Sequence, residues 1–104
     1  MDTSLHPSDG IRLLLERLSV GESGEEASYG GGIYTPEHYF EIRCTLNMDG
    51  SALVEHKAED CPEELLTKFE NIAKSTARGA KRKLADGLPP WPERVLRWRG
   101  PGRG

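Results

Sequence analysis

The sequence predicts an α+β domain, in which a small antiparallel sheet packs on one long helix and a short helix precedes both. Three observations predict it. Residues 38–47 alternate apolar and polar strictly, residues 62–86 carry a long apolar arc at helical spacing, and Ile11, Leu14, Leu15 and Leu18 repeat at i, i+3, i+4, i+7. A chain of 104 residues holds one domain, and only 21 of them are Leu, Ile, Val or Phe, so its core is modest. Folding at this size leaves no room for a deep cavity around a large cofactor, and none is expected.

Residues 1–7 read as a disordered N-terminus, and the folded domain is expected over 8–88. Ser8 and Asp9 precede the first apolar stretch, whose spacing and good helix formers predict an amphipathic helix over about residues 9–19. A strand is the alternative, because a buried strand of this length also reads as a dense apolar run. Five glycines between residues 21 and 32 then predict a mobile connection, with a brief extended piece at Ala27-Ser28-Tyr29.

A hairpin is predicted over about residues 38–58, with room in the sheet for a third strand. Phe40, Ile42, Cys44 and Leu46 share one face of its first strand. Met48-Asp49-Gly50 supplies the turn, with Gly50 in the left-handed position. Pairing Asn47 with Ser51 sets Leu46 opposite Ala52, Cys44 opposite Val54 and Ile42 opposite His56. A slip of one residue would bring Leu53, Glu55 and Lys57 to the core face instead.

The main helix is predicted over about residues 62–86. Pro62 suits the first helical position, Cys61 or Asp60 serves as N-cap, and Asp86-Gly87 ends the helix. Leu65, Leu66, Phe69, Ile72, Ala73, Thr76, Ala77, Ala80 and Leu84 form its buried arc. Residues 89–104 form an extension rich in Pro, Arg and Trp. Its prolines impose extended geometry, Glu93 to Arg99 reads as an edge strand with Leu96 and Trp98 on one face, and the glycine-rich end around Arg103 is expected to be disordered.

The formal net charge of −3 hides an asymmetry. Residues 1–61 hold four basic groups against twelve acidic ones, whereas residues 62–104 hold ten against five. Lys74, Arg78, Lys81 and Arg82 fall in one helical stripe, where like charges at i, i+4, i+8 repel and suggest a partner. The plainer reading is a solvated face that complements the helix dipole. Arg94, Arg97, Arg99 and Arg103 interleave with Trp91 and Trp98, a mixture of cation and ring that suits unpaired bases or a protein interface.

Catalytic and metal signatures are weak. Cys61, five residues after His56, would form an isolated thiol–imidazole pair, but Glu59, Asp60, Glu63 and Glu64 disfavour the thiolate. Cys44, Cys61, His38 and His56 lack metal-ligand spacing, and Cys44 reads as a small buried hydrophobe. Two cysteines make no disulfide framework, and no apolar run approaches a membrane span, so a cytoplasmic protein without membrane contact is expected.

The order helix, extended piece, hairpin, helix, with Thr35-Pro36-Glu37-His38 before the strong strand, resembles a double-stranded RNA-binding domain over roughly residues 8–86. Where that family begins its second helix with lysines, this chain has Glu63-Glu64-Leu65-Leu66, and Lys81-Arg82-Lys83 arrives about five turns later. The resemblance therefore implies a topology rather than RNA contact. The sequence is best read as a non-enzymatic interaction module that docks a protein partner through the open sheet face or the basic C-terminal segment. Nucleic-acid binding by the helix stripe and the Arg/Trp tail is the alternative. Tyr39, Glu41, Arg43 and Thr45, with Leu53, Glu55 and Lys57, are expected on the open face.

Overall fold

In the computed structural model, which describes residues 6–100, the first apolar stretch is a strand and not the helix expected over 9–19. The elements run β1 (Ile11–Val20), β2 (Glu26–Tyr34), β3 (Tyr39–Asn47), β4 (Ala52–Lys57), α1 (Glu63–Ala85) and β5 (Arg94–Arg99). They form one antiparallel sheet in the order β4-β3-β2-β1-β5, with α1 packed on one face. The α+β class stands, but the sheet has five strands and the first elements among the described residues are strands, so the helix-first order behind the resemblance to a double-stranded RNA-binding domain does not hold. Residues 1–5, in the expected disordered N-terminus, and Arg103, in the expected disordered end, lie outside the described residues.

The reason for the first difference lies in β1's position next to the centre of the sheet. Leu13 and Leu15 point into the core beneath α1, while Leu14 points to the other face between its ladder neighbours Leu96 and Gly32 and is only 4% exposed. A strand covered on both sides has no reason to alternate, and a triple leucine then imitates helical spacing.

The glycine-rich segment read as a loop supplies β2, the central strand. Gly31 and Gly32 adopt φ of 140° and 151°, a region open essentially to glycine alone. A Cβ would stand 2.1 Å from the Leu14 carbonyl oxygen at Gly31 and 2.1 Å from that of Phe40 at Gly32. These glycines let neighbouring backbones close on the strand; they do not loosen it.

The β3–β4 hairpin follows the expected register at Leu46↔Ala52 and Cys44↔Val54, with Gly50 at φ 94° in the turn. Beyond Val54 a bulge inserts Glu55, so His56 faces Arg43 and Lys57 faces Ile42. One extra residue reverses the faces that follow, which corrects the expected Ile42–His56 pair and removes Lys57 from the open face.

The helix starts one residue later than expected. Pro62 is its N-cap, extended at φ −61° and ψ 142°, and no side chain among the described residues caps the end. Neither Cys61 nor Asp60 fills that role; the Pro62 carbonyl accepts from Leu65 and Leu66 instead. Phe69, Ile72, Ala73, Ala77 and Ala80 are buried against the sheet, whereas Leu84, expected on that arc, is exposed near the helix end.

The chain after α1 is anchored at three points. Trp91 is buried and donates from Nε1 to the Gly24 carbonyl at 2.9 Å, Arg17 donates to the Trp91 carbonyl at 2.8 Å, and Tyr29 donates to the Pro92 carbonyl at 2.6 Å. These bonds deliver Glu93 to the end of β1 and start β5 along its free edge. Among the described residues no helix is long and apolar enough to cross a membrane.

Candidate functional site

Residues paired across an antiparallel ladder share a face, so the register sorts every strand side chain to the helix side or the open side. Trp98, Arg12, Tyr34 and Tyr39 are successive partners on β5, β1, β2 and β3. They form one transverse row on the open face, in which the register sets Arg12 between Trp98 and Tyr34. Trp98 is 51% exposed and Tyr39 43%.

The rings are held in place. Tyr34 and Tyr39 lie with centroids 4.4 Å apart, and His6 meets Tyr34 edge-on at 5.1 Å while donating from Nδ1 to the Thr35 carbonyl at 2.8 Å. Tyr39 reaches across the glycines to donate to the Gly31 carbonyl at 2.7 Å. Burial there, with Tyr34, Glu41 and Glu16 nearby, pushes its hydroxyl up to about 12. Trp98 donates from Nε1 to the Asp9 carbonyl at 3.1 Å. Trp98 and Tyr39 thus present ring surface to solvent while their polar atoms are satisfied within the protein.

Below this row the open face is mixed. Arg94 pairs with Glu16 at 3.7 Å, and Glu41 lies 3.9 Å from His56. Leu18, whose side chain lies over Gly30, and Leu53 are each 61% exposed. Leu18, Ser28, Arg43, Glu55 and His56 line a depression at the end away from the aromatic row.

The residues singled out from sequence do not converge on one surface. Lys74, Arg78, Lys81 and Arg82 are exposed on α1, on the side of the molecule opposite the row, with the Arg78 stem lying over the Gly50 turn. Trp91 is an internal anchor and presents nothing to a partner. Arg94 and Trp98 fall on the open face, whereas Arg97 and Arg99, paired with Leu13 and Ile11, fall on the helix side. Tyr39, Glu41, Arg43, Thr45 and Leu53 stand on the open face as the alternation predicts. Arg12, Tyr34 and His6 were not picked out, because their place in the row depends on β1 and β2 being strands.

The thiols have no nucleophilic setting. Cys44 is buried and its thiol is pushed up to about 12 by desolvation and then by Glu55. Cys61 is also raised, by burial first, with Asp60 adding to the shift and Lys57 opposing it. Among the described residues no three His, Cys, Asp or Glu side chains gather to hold a metal ion. Comparison of the chain with protein-family models, curated proteins and solved structures returns no match.

Proposed function

We propose that this chain is a non-catalytic docking module that binds a protein partner through the open face of its sheet. The row Trp98–Arg12–Tyr34–Tyr39 carries the reading. Rings and an arginine are the side chains enriched where protein interfaces concentrate their binding energy, and here Tyr39 and Trp98 are pre-positioned by their own hydrogen bonds. Leu18 and Leu53 extend the apolar area, and the mixed charges around them suit a polar rim.

Nucleic-acid binding draws on the same rings and guanidinium. It is less well supported, because Glu16 and Glu41 share the open face and the basic stripe of α1 lies on the other side.

Differential capture from a lysate tests the reading. The wild-type chain, an Arg12→Glu/Leu53→Asp variant and a Lys74→Glu/Lys81→Glu variant are each immobilised, and the retained proteins compared. Partners held by the wild type and the helix variant but lost from the open-face variant support docking on the sheet. An identical set from all three discards it. Retention of nucleic acid that falls linearly with log salt favours the alternative.

A further inference from the structure

The two edges of the sheet are unlike. β4 carries the Glu55 bulge, which spoils its outer ladder, but β5 pairs regularly with β1 along its whole length and contains no proline. Arg17 N–H donates to the Glu93 carbonyl at 2.9 Å, which fixes the phase of that ladder. By alternation Val95, Arg97 and Arg99 bond inward to β1, and the N–H and C=O groups of Arg94, Leu96 and Trp98 point outward, where no strand follows among the described residues.

Two of those outward carbonyls are covered by the strand's own arginines. Arg97 Nη1 donates to the Leu96 carbonyl at 3.0 Å, and Arg99 Nη1 to the Trp98 carbonyl at 3.1 Å. Among the described residues no carboxylate comes within 4.0 Å of either guanidinium; the ion pairs on this part of the sheet belong to Arg17 and Arg94. The edge is thus a regular strand, two of whose three outward acceptors are held by guanidinium groups with no carboxylate within 4.0 Å among the described residues.

We propose that β5 is a strand-addition site for an extended acidic segment of a protein partner. The proposal rests on the protein-docking reading and deepens it by naming what the partner presents. An added strand would place alternate side chains beside Arg97 and Arg99 on the helix side and beside Leu96 and Trp98 on the open side. The matching segment alternates carboxylates with apolar residues. Its carboxylates draw the guanidinium groups off the Leu96 and Trp98 carbonyls, and its backbone N–H groups take their place. Bound there, the segment also widens the open face next to Trp98.

The test is fluorescence anisotropy with a labelled alternating Val-Glu octapeptide and the full chain, at low and physiological salt. Saturable binding is expected, weakened by salt, weakened by about tenfold or more in Arg97→Gln/Arg99→Gln, and absent for a Val-Lys octapeptide. The Arg97→Glu/Arg99→Glu variant should reverse the preference and take the Val-Lys peptide. N-methylation at alternate residues should abolish binding, because it removes the backbone donors strand addition requires. Equal binding of the N-methylated peptide overturns the proposal, as does no binding at low salt. Tighter binding of an oligothymidine overturns it in favour of nucleic acid, and self-association lost in Arg97→Glu/Arg99→Glu overturns it in favour of a second copy. If the octapeptide fails while capture still separates the wild type from Arg12→Glu/Leu53→Asp, the edge proposal falls and open-face docking survives; the converse pattern removes open-face docking alone.

Discussion

Tyr29 donates its hydroxyl to the Pro92 carbonyl at 2.6 Å from a ring with no exposed surface, tying the central strand to the segment that launches β5. Tyr29→Phe removes that bond and leaves a part-buried acceptor, at an expected cost of about 0.5–1.5 kcal/mol in urea unfolding. The pH dependence is more diagnostic. Burial raises the Tyr29 hydroxyl from 10.0 to about 12, with Arg17 opposing and Cys44 adding to the shift. A raised pKa means the neutral hydroxyl's contribution is whole below pH 10.0 and is lost as pH rises through about 12. Tyr29→Phe should therefore lose less stability across that interval than the wild type does; parallel curves would show that the hydroxyl is not buried as described.

Gly31 and Gly79 should respond oppositely to alanine. At Gly31 the backbone region alone costs about 1–3 kcal/mol for a residue with a side chain, and the Leu14 carbonyl stands where the methyl would go. Gly31→Ala is expected at or beyond the upper end of that range. Gly79 lies in α1 with nothing within 4 Å of its Cβ position, so Gly79→Ala should stabilise by about 1 kcal/mol. Denaturant midpoints of the two variants decide it, and a Gly31→Ala protein as stable as wild type would mean β2 is not the central strand.

That contrast also explains what was legible in the sequence. The β3–β4 hairpin and α1 declare themselves, because a half-covered strand alternates and a half-covered helix shows its arc. β1 and β2 do not. Leu13 to Leu15 are covered on both faces, and Gly30 to Gly32 carry no side chain in which a period could be written. On the open face Tyr39, Arg43 and Leu53 follow from the alternation of one hairpin. The Arg12–Tyr34 pairing needs a register between two unrecognised strands, which no local pattern encodes.

The two tryptophans should separate stability from binding. Trp91 is 3% exposed and bonded to the Gly24 carbonyl, so Trp91→Ala is expected to cost about 3–5 kcal/mol and to loosen β5 with it. Trp98 is half-exposed and bonded to the Asp9 carbonyl, so Trp98→Ala should cost less than about 1 kcal/mol while reducing capture of partners by the open face. Calorimetry of both variants beside the capture assay tests this, and it would be refuted by equal losses of stability.

Cys44 and Cys61 test whether any reactive thiol exists. Both are buried, burial raises both thiols, and Cys61 Sγ rests 3.6 Å from the Pro62 carbonyl. A nucleophilic cysteine requires the reverse, a thiolate favoured by neighbouring positive charge and open to solvent. Alkylation near neutral pH, followed by peptide mapping, should label both at least about a hundredfold more slowly in the native protein than in urea, because access requires opening of the structure. Cys44, in the centre of the sheet's helix face, should follow global unfolding. Cys61, at the start of α1, should label faster than Cys44 through fraying of the helix N-terminus, which no side chain among the described residues caps. Rapid native labelling of Cys61 would instead show that its thiol is not buried as described.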